Sequence, residues 1–246
     1  MLTRWLHREL TGLFDLLLPA ICPLCDQPLG PSPHPPLCPA CLGDMTPSAC
    51  PCCPVCALPY PTENGTDHLC EPCLRTPPPF DRIHALGDYA GRLREAITAL
   101  KYRGRIDLDR PLGRLLAERL REVADPATFD LVLPVPLHPR RLRERSYNQS
   151  LLLAQVLARD LGRPLERNRL RRVRATPAQQ GLNAAQRQAN LHRAFALAAP
   201  LAGERVLLVD DVVTTTATAR ECAQVLLAGG AGAVSLAVLA RAARHG

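Results

Sequence analysis

From Ile83 onward the chain alternates short apolar runs with longer segments in which apolar residues recur every third or fourth position. Val206–Val209 is an unbroken, β-branched-rich run, the pattern of a parallel strand buried on both faces, and Leu131–Val135 reads the same way. Ile83–Tyr89 and Val234–Leu239 predict two further strands. Leu93–Leu100, Leu108–Val123 and a segment that starts near Ala217 and carries Cys222, Val225, Leu226 and Leu227 predict helices, the last closed by Gly229 and Gly230. Strands and helices in alternation predict an α/β fold with a doubly wound, mainly parallel sheet. Before it, Arg75–Phe80 (RTPPPF) cannot continue a strand or helix and separates residues 1–80 from residues 81–246.

The N-terminal segment follows a different pattern. Leu2, Trp5, Leu6, Leu10, Leu13, Phe14 and Leu17 lie at helical spacing, with Arg4, Arg8, Glu9 and Asp15 among them. This predicts an amphipathic helix packed on the rest of the protein, with docking to a membrane surface or a partner as the alternative. The interrupting charges exclude the continuous apolar core of a secretory signal, and no stretch reaches the roughly 18 to 20 apolar residues of a membrane span. The expected location is the cytoplasm, with a peripheral position at the inner face of the membrane as the second reading.

Composition sharpens the boundary near residue 80. Ten of the 11 cysteines precede Leu74, and eight of them form four C-x-x-C knuckles: Cys22 with Cys25, Cys38 with Cys41, Cys53 with Cys56, and Cys70 with Cys73. Four thiolates at about 2.3 Å satisfy tetrahedral zinc, and each knuckle delivers two of them from one turn, so about two structural zinc ions are expected in two ribbons. Disulfides are the alternative, which a reducing compartment disfavours. The pairing of knuckles stays open between sequential and cross-braced, and Cys50 and Cys52 crowd the third. His34 and His68 read as loop residues. Because zinc binding is folding energy, chelation is expected to unfold the first segment and spare the second.

Charge divides at the same place. Residues 1–80 hold three arginines against seven acids, a balance near −4, and residues 81–246 hold 27 basic residues against 16 acids, near +11. Lys101 is the only lysine. Arginine suits bidentate phosphate contacts, although a GC-rich coding sequence would leave the same composition.

The candidate chemistry is concentrated in Val206–Thr218, VLLVDDVVTTTAT. Asp210 and Asp211 stand where the strand is expected to end, which is where ligands bind in open α/β sheets, and two carboxylates there can accept from a vicinal diol or help hold hydrated magnesium. Thr214, Thr215, Thr216, Ala217 and Thr218 lead into a helix, where hydroxyls, free N–H groups and the helix dipole suit a phosphate dianion. A plain N-cap is the bland alternative. Paired acids after a strand also occur in receiver domains and nucleotide triphosphatases, but no glycine-rich loop ends in Lys-Ser or Lys-Thr, which argues against a P-loop enzyme. The order of apolar run, two acids and threonines resembles the ribose-5-phosphate motif of type I phosphoribosyltransferases. After Leu131–Val135, the loop PLHPRRLRERSYNQS carries Arg140, Arg141, Arg143 and Arg145 around Glu144, a plausible anion site.

LKYRGR at 100–105, VPLHPRRLRERSYNQ at 135–149, LNAAQRQANLHRAF at 182–195 and VLLVDD together resemble the ComF family, over nearly the whole chain from Leu16. The resemblance implies a type I phosphoribosyltransferase-like α/β domain preceded by a small zinc-ribbon domain. It implies that Asp210 and Asp211 meet the ribose hydroxyls of phosphoribosyl pyrophosphate or a similar sugar phosphate, and that residues 214–218 wrap the 5-phosphate. Arg140, Arg141 and Arg145 fall on the pyrophosphate side, with magnesium accompanying the ligand. Arg171–Arg193 fits a mobile loop closing over the site, with Arg187 its candidate contact, and a solvated basic loop is the alternative. Asn183 there is a good N-cap for one short helix. Thr216 and Ser146 stand where glycine is usual, and a β-branched residue at φ > 0 is strained.

Two functions follow. One is a competence factor that assists single-stranded DNA uptake, with a helicase and the membrane uptake machinery as partners and Arg171, Arg172 and Arg174 as phosphate contacts. Aromatic residues are only 4% of the chain, so base stacking is not its main source of affinity. The other is a working phosphoribosyltransferase, in which magnesium and arginines stabilise departing pyrophosphate. No acceptor pocket and no amide-hydrolysing Cys-His module is legible.

Overall fold

The computed structural model describes residues 20–29, 37–45, 51–60, 62, 65–175 and 191–243. The amphipathic N-terminal segment, His34, Cys50, Asn183 and Arg187 lie outside them. Two short helices, α1 (Pro39–Gly43) and α2 (Glu71–Arg75), each begin immediately after a cysteine, with proline in the first turn where no N–H is needed. Then follow β1 (Ile83–Asp88), α3 (Gly91–Tyr102), α4 (Asp109–Val123), β2 (Leu131–Pro134), α5 (Pro139–Arg145) and α6 (Gln149–Leu161). The chain continues through β3 (Leu170–Arg172), β4 (Phe195–Leu197), β5 (Arg205–Val213), α7 (Ala217–Ala228) and β6 (Ala233–Arg241).

β1, β6, β5 and β2 form one sheet in that order, and every pairing in it is parallel. β3 and β4 form a separate antiparallel pair, Arg171 opposite Ala196. The expected parallel sheet is therefore present, with β5 and β6 at its centre. These two strands outrun their apolar cores: the register continues through Asp210 opposite Val238 to Val213 opposite Arg241. Asp210 and Asp211 thus stand inside β5 rather than beyond its end, because β6 runs beside them as far as Arg241 and pairs with Asp210, Val212 and Val213.

The period of two along β5 sorts its side chains onto two faces. Leu207 and Val209 face α3, α4 and α6, where Leu93, Ile97, Leu116 and Leu157 are wholly or nearly buried. Val206 and Leu208 face α7, with Cys222, Ala223 and Leu226. Truncating one such leucine, Leu116→Ala, removes a side chain of 0% exposure and costs about 2–5 kcal/mol. Gly113 lets α4 approach α6, because a Cβ there would lie 2.7 Å from Val156 Cβ.

Each cysteine group belongs to one of these cores. Cys22, Cys38 and Cys41 pack with Leu37 and Met45 into the α3/α4/α6 core, and Cys53, Cys56, Cys70 and Cys73 pack into the α7 core on the opposite face. Backbone bonds reinforce the contact: Ile83 N–H donates to the Val55 carbonyl at 2.8 Å, and Arg82 Nε to that of Pro54 at 2.7 Å. Removing metal from the first segment would therefore loosen both cores, so this packing does not support the expectation that chelation spares the second.

Candidate functional site

The two acids on β5 face a cavity of about 420 Å³ lined by Lys101, Arg141, Arg145, Arg172, Thr214 and Thr218, with Tyr89 and Tyr102 also in its wall. Three elements meet there. Asn148 caps α6, its side chain accepting from Ser150 N–H at 3.1 Å and donating to the Val135 carbonyl at 3.0 Å. This fixes Gln149 and Ser150 in the first turn against the acids: Gln149 Nε2 donates to Asp211 Oδ2 at 3.0 Å, and Ser150 Oγ donates to Asp210 Oδ1 at 2.8 Å. From the last turn of α3, Lys101 Nζ lies 2.7 Å from Asp211 Oδ2.

These partners separate the acids electrostatically. Burial and the neighbouring Asp211 charge push Asp210 up to about 7, against the pull of Lys101 and Ser150. Burial pushes Asp211 the same way, but the Lys101 ammonium and the Gln149 hydrogen bond outweigh it and hold this carboxyl below its usual range. Asp211 Oδ1 also accepts from Val212 N–H at 2.8 Å, and Asp210 Oδ1 from Asp211 N–H at 2.9 Å. Among the described residues no hydrogen bond reaches Asp210 Oδ2, the carboxylate oxygen left for a ligand. Magnesium requires several oxygen ligands at about 2.0–2.1 Å. With an ammonium on Asp211 and Asp210 Oδ1 doubly engaged, the acid pair does not fit as its coordination site.

The turn after β5 leads directly into a helix. Thr216 is left-handed, φ 62°, and α7 begins at the next residue, leaving the first-turn N–H groups directed outward. Thr216 caps no N–H with its side chain; its Oγ1 instead accepts from Arg220 Nε at 3.3 Å. On the other wall, PRRLRER forms the helix α5 where a loop was expected, because Pro139 fits the first helical position and His138 Nδ1 accepts from Arg140 N–H at 3.2 Å. Spacing of four residues sends Arg141 and Arg145 to the cavity. Arg140 is turned to Glu144 at 3.1 Å and is not among the lining residues. Arg145 also stacks over Tyr102, 5.0 Å from the ring centroid.

The cysteines resolve the pairing left open by the sequence. Cys22, Cys25, Cys38 and Cys41 form one group and Cys53, Cys56, Cys70 and Cys73 another, all ligand atoms within 4.8 Å of one another in each. The arrangement is sequential, not cross-braced, and Cys52 stays outside. Sulfurs at about 2.3 Å on a tetrahedral ion stand roughly 3.8 Å apart, and Cys25 to Cys38 is 3.4 Å and Cys56 to Cys70 is 3.5 Å, which fits structural zinc. Backbone donors outweigh burial at Cys22 and Cys53 and bring both down to about 7, whereas burial and the neighbouring thiols push Cys41, Cys56 and Cys73 up, the repulsion of thiolates crowded together with no cation between them.

Comparison with known proteins agrees with both halves. Residues 13–74 match the double zinc ribbon domain, and residues 147–246 match the phosphoribosyl transferase domain. The chain is 38% identical over 230 residues to DNA utilization protein YhgH of Escherichia coli strain K12, covering 92% of this chain and 99% of that protein. It is 37% identical over 179 residues to Competence protein F of Haemophilus influenzae strain Rd, 70% of this chain and 78% of that one. The chain belongs to the ComF family. Purine phosphoribosyltransferase from Pyrococcus horikoshii superposes on 53% of this chain and 70% of its own, at 21% identity and a TM-score of 0.34.

Within this ComF chain both positions where the family resemblance placed glycine are left-handed, Thr216 at φ 62° and Ser146 at φ 65°. Ser146 ends α5 and so sets the approach to α6. Arg172, expected on a DNA surface, lines the cavity and lies over the Phe195 ring at 5.5 Å, whereas Arg171 and Arg174 are exposed on the β3/β4 side. Lys101, Gln149 and Ser150 were not singled out by sequence as site residues. The one available signal was that Lys101 is the sole lysine. No helix among the described residues is long and apolar enough to cross a membrane.

Proposed function

We propose that this is a ComF-type competence protein whose second domain binds phosphoribosyl pyrophosphate or a similar sugar phosphate while assisting the uptake of single-stranded DNA in natural transformation. The observation that carries the ligand assignment is the convergence, on one cavity, of Asp210 and Asp211, of Thr214 and Thr218 from the two ends of the turn, and of the Arg141, Arg145 and Arg172 side chains; Thr215, Thr216 and Ala217 are not among its lining residues. Asp210 Oδ2 accepts from the ribose diol, the segment Thr214, Thr215, Thr216, Ala217 and Thr218 receives the 5-phosphate, and Arg141 and Arg145 face the pyrophosphate, the side to which Arg140 and Arg187, the latter outside the described residues, are also assigned. Magnesium enters with the ligand, on its diphosphate oxygens.

The names of the YhgH and Competence protein F relatives support the DNA role, as does the excess of positive charge after residue 80. Arg171 and Arg174 contact the phosphate backbone, Arg172 being turned to the cavity, and partners are a helicase and the uptake machinery, met in the cytoplasm or at the inner face of the membrane. Affinity for single-stranded DNA should fall steeply with salt and depend little on sequence, and replacing Arg171 and Arg174 together should flatten the slope by about 1.4, near 0.7 per contact. An unchanged slope assigns these arginines elsewhere.

The second reading is an active phosphoribosyltransferase. The left-handed backbone retained at Thr216 and Ser146 favours it, because the ligand turns keep their geometry without glycine. Release of pyrophosphate in the presence of nitrogen nucleophiles would establish this reading, and ligand binding without release would leave the competence role alone.

A further inference from the structure

In a chain of 29 arginines the one lysine is on the acid pair, its ammonium 2.7 Å from Asp211 Oδ2 and only 21% exposed. Arginine would present a planar fork at that position, whereas an ammonium is a compact point charge that can turn among several acceptors. Resting on the sugar-phosphate reading above, we propose that Lys101 is the resident cation of this site, so that the protein binds sugar phosphates bearing a free diol without any divalent metal. The ligand class is a ribose 5-phosphate-type compound; a 1-diphosphate, where present, carries its own magnesium on the diphosphate oxygens, away from the acid pair.

The geometry supports this from both sides. Asp211 is 3% exposed, and its two oxygens are taken by Lys101, Gln149 and Val212 N–H, so a metal could reach it only by displacing the ammonium. Asp210 turns one oxygen to Ser150 and its own neighbour's N–H and leaves the other for the ligand. One firm negative charge on Asp211 is matched by Lys101, and Asp210 is easily protonated, pushed up to about 7 by burial and by Asp211. The three groups together thus carry at most one net negative charge before any metal arrives, and the ammonium retains N–H groups for ligand oxygens next to Asp211.

The test uses the zinc-loaded full chain in buffer freed of divalent ions by resin rather than by a soluble chelator, which would strip the cysteine clusters. Ribose 5-phosphate is titrated calorimetrically with and without magnesium, and manganese binding is followed by paramagnetic resonance. The expected result is the same affinity under both conditions for the wild type, with no manganese bound at the site. Lys101→Met should weaken metal-free binding at least tenfold, recover part of it with magnesium, and acquire one bound manganese. Lys101→Arg, which keeps the charge should the methionine variant fail to fold, should bind without metal but more weakly. Wild-type binding that requires magnesium would overturn the resident-cation role while leaving the sugar-phosphate site intact. Absence of ribose 5-phosphate binding under either condition would overturn both.

Discussion

Arg241 donates from Nε to the main-chain oxygen of Cys56 at 2.9 Å, so the last residue of the central strand β6 holds the turn of a cysteine knuckle. The same guanidinium, 1% exposed, donates through Nη1 to the carbonyls of Val213 at 3.1 Å, Ala242 at 2.9 Å and Thr214. One buried charge therefore links the second cysteine cluster to the start of the phosphate turn. Charged hydrogen bonds of this kind are worth about 1.5–3 kcal/mol each when a partner is removed.

A contrast between the two metal sites follows. About two zinc ions per chain are expected by elemental analysis, and Cys22→Ser and Cys56→Ser should each lose one. Only Cys56→Ser disturbs the carbonyl held by Arg241, so it should also weaken sugar-phosphate affinity, by about five- to tenfold. Equal affinity in the two variants would show that the zinc site and the turn are not coupled.

At Thr216 the left-handed backbone, φ 62°, burdens a β-branched residue with roughly 1–2 kcal/mol. Thr216→Gly relieves this but adds freedom to the unfolded chain, so the net gain in urea unfolding should be at most about 1 kcal/mol. If side-chain bulk in the turn suppresses turnover, the same variant should raise pyrophosphate release above background. A loss of stability would show that the Thr216 contact with Arg220 outweighs the strain.

His84 supplies an acid-sensitive element. It is 8% exposed, edge-on to Phe129, and burial together with Arg82 and Arg119 lowers its pKa to about 4 from 6.5. The unfolded chain takes up this proton below pH 6.5 and the folded chain only below about 4, so stability falls as pH drops through that interval and is flat beyond it. The whole contribution is roughly 3 kcal/mol. His84→Leu should flatten that limb relative to wild type, with both zinc-loaded; superimposable pH profiles would remove His84 from the account.

Much of this architecture is legible in the residues. Val206–Val209 mark the central strand, Ala217 the helix start, and the four C-x-x-C knuckles the eight ligands though not their grouping, because apolar periodicity and ligand spacing are local properties and the pairing of knuckles is not. The strand's extension to Val213 was not legible, since it depends on β6 running equally far beside it. The helix α5 was hidden because Pro139 and four arginines resemble a loop until His138 is seen to cap them. Lys101 lies 110 positions from Asp211, and nothing in either stretch announces that the crossover brings them to 2.7 Å. Arg172 was separated from Arg171 only by the alternation of a three-residue strand.

The most direct measurement is a calorimetric titration of zinc-loaded protein with phosphoribosyl pyrophosphate, for wild type and Asp210→Asn. The substitution keeps an oxygen for Ser150 and turns the oxygen that faces the ligand into a donor, so folding should change little. Wild type should bind, and the variant should bind about 10- to 100-fold more weakly, the value of one charged hydrogen bond to the diol. Folded wild-type protein that does not bind, or a variant that binds equally well, would contradict the sugar-phosphate site and reduce Val206–Thr218 to an ordinary strand-to-helix turn.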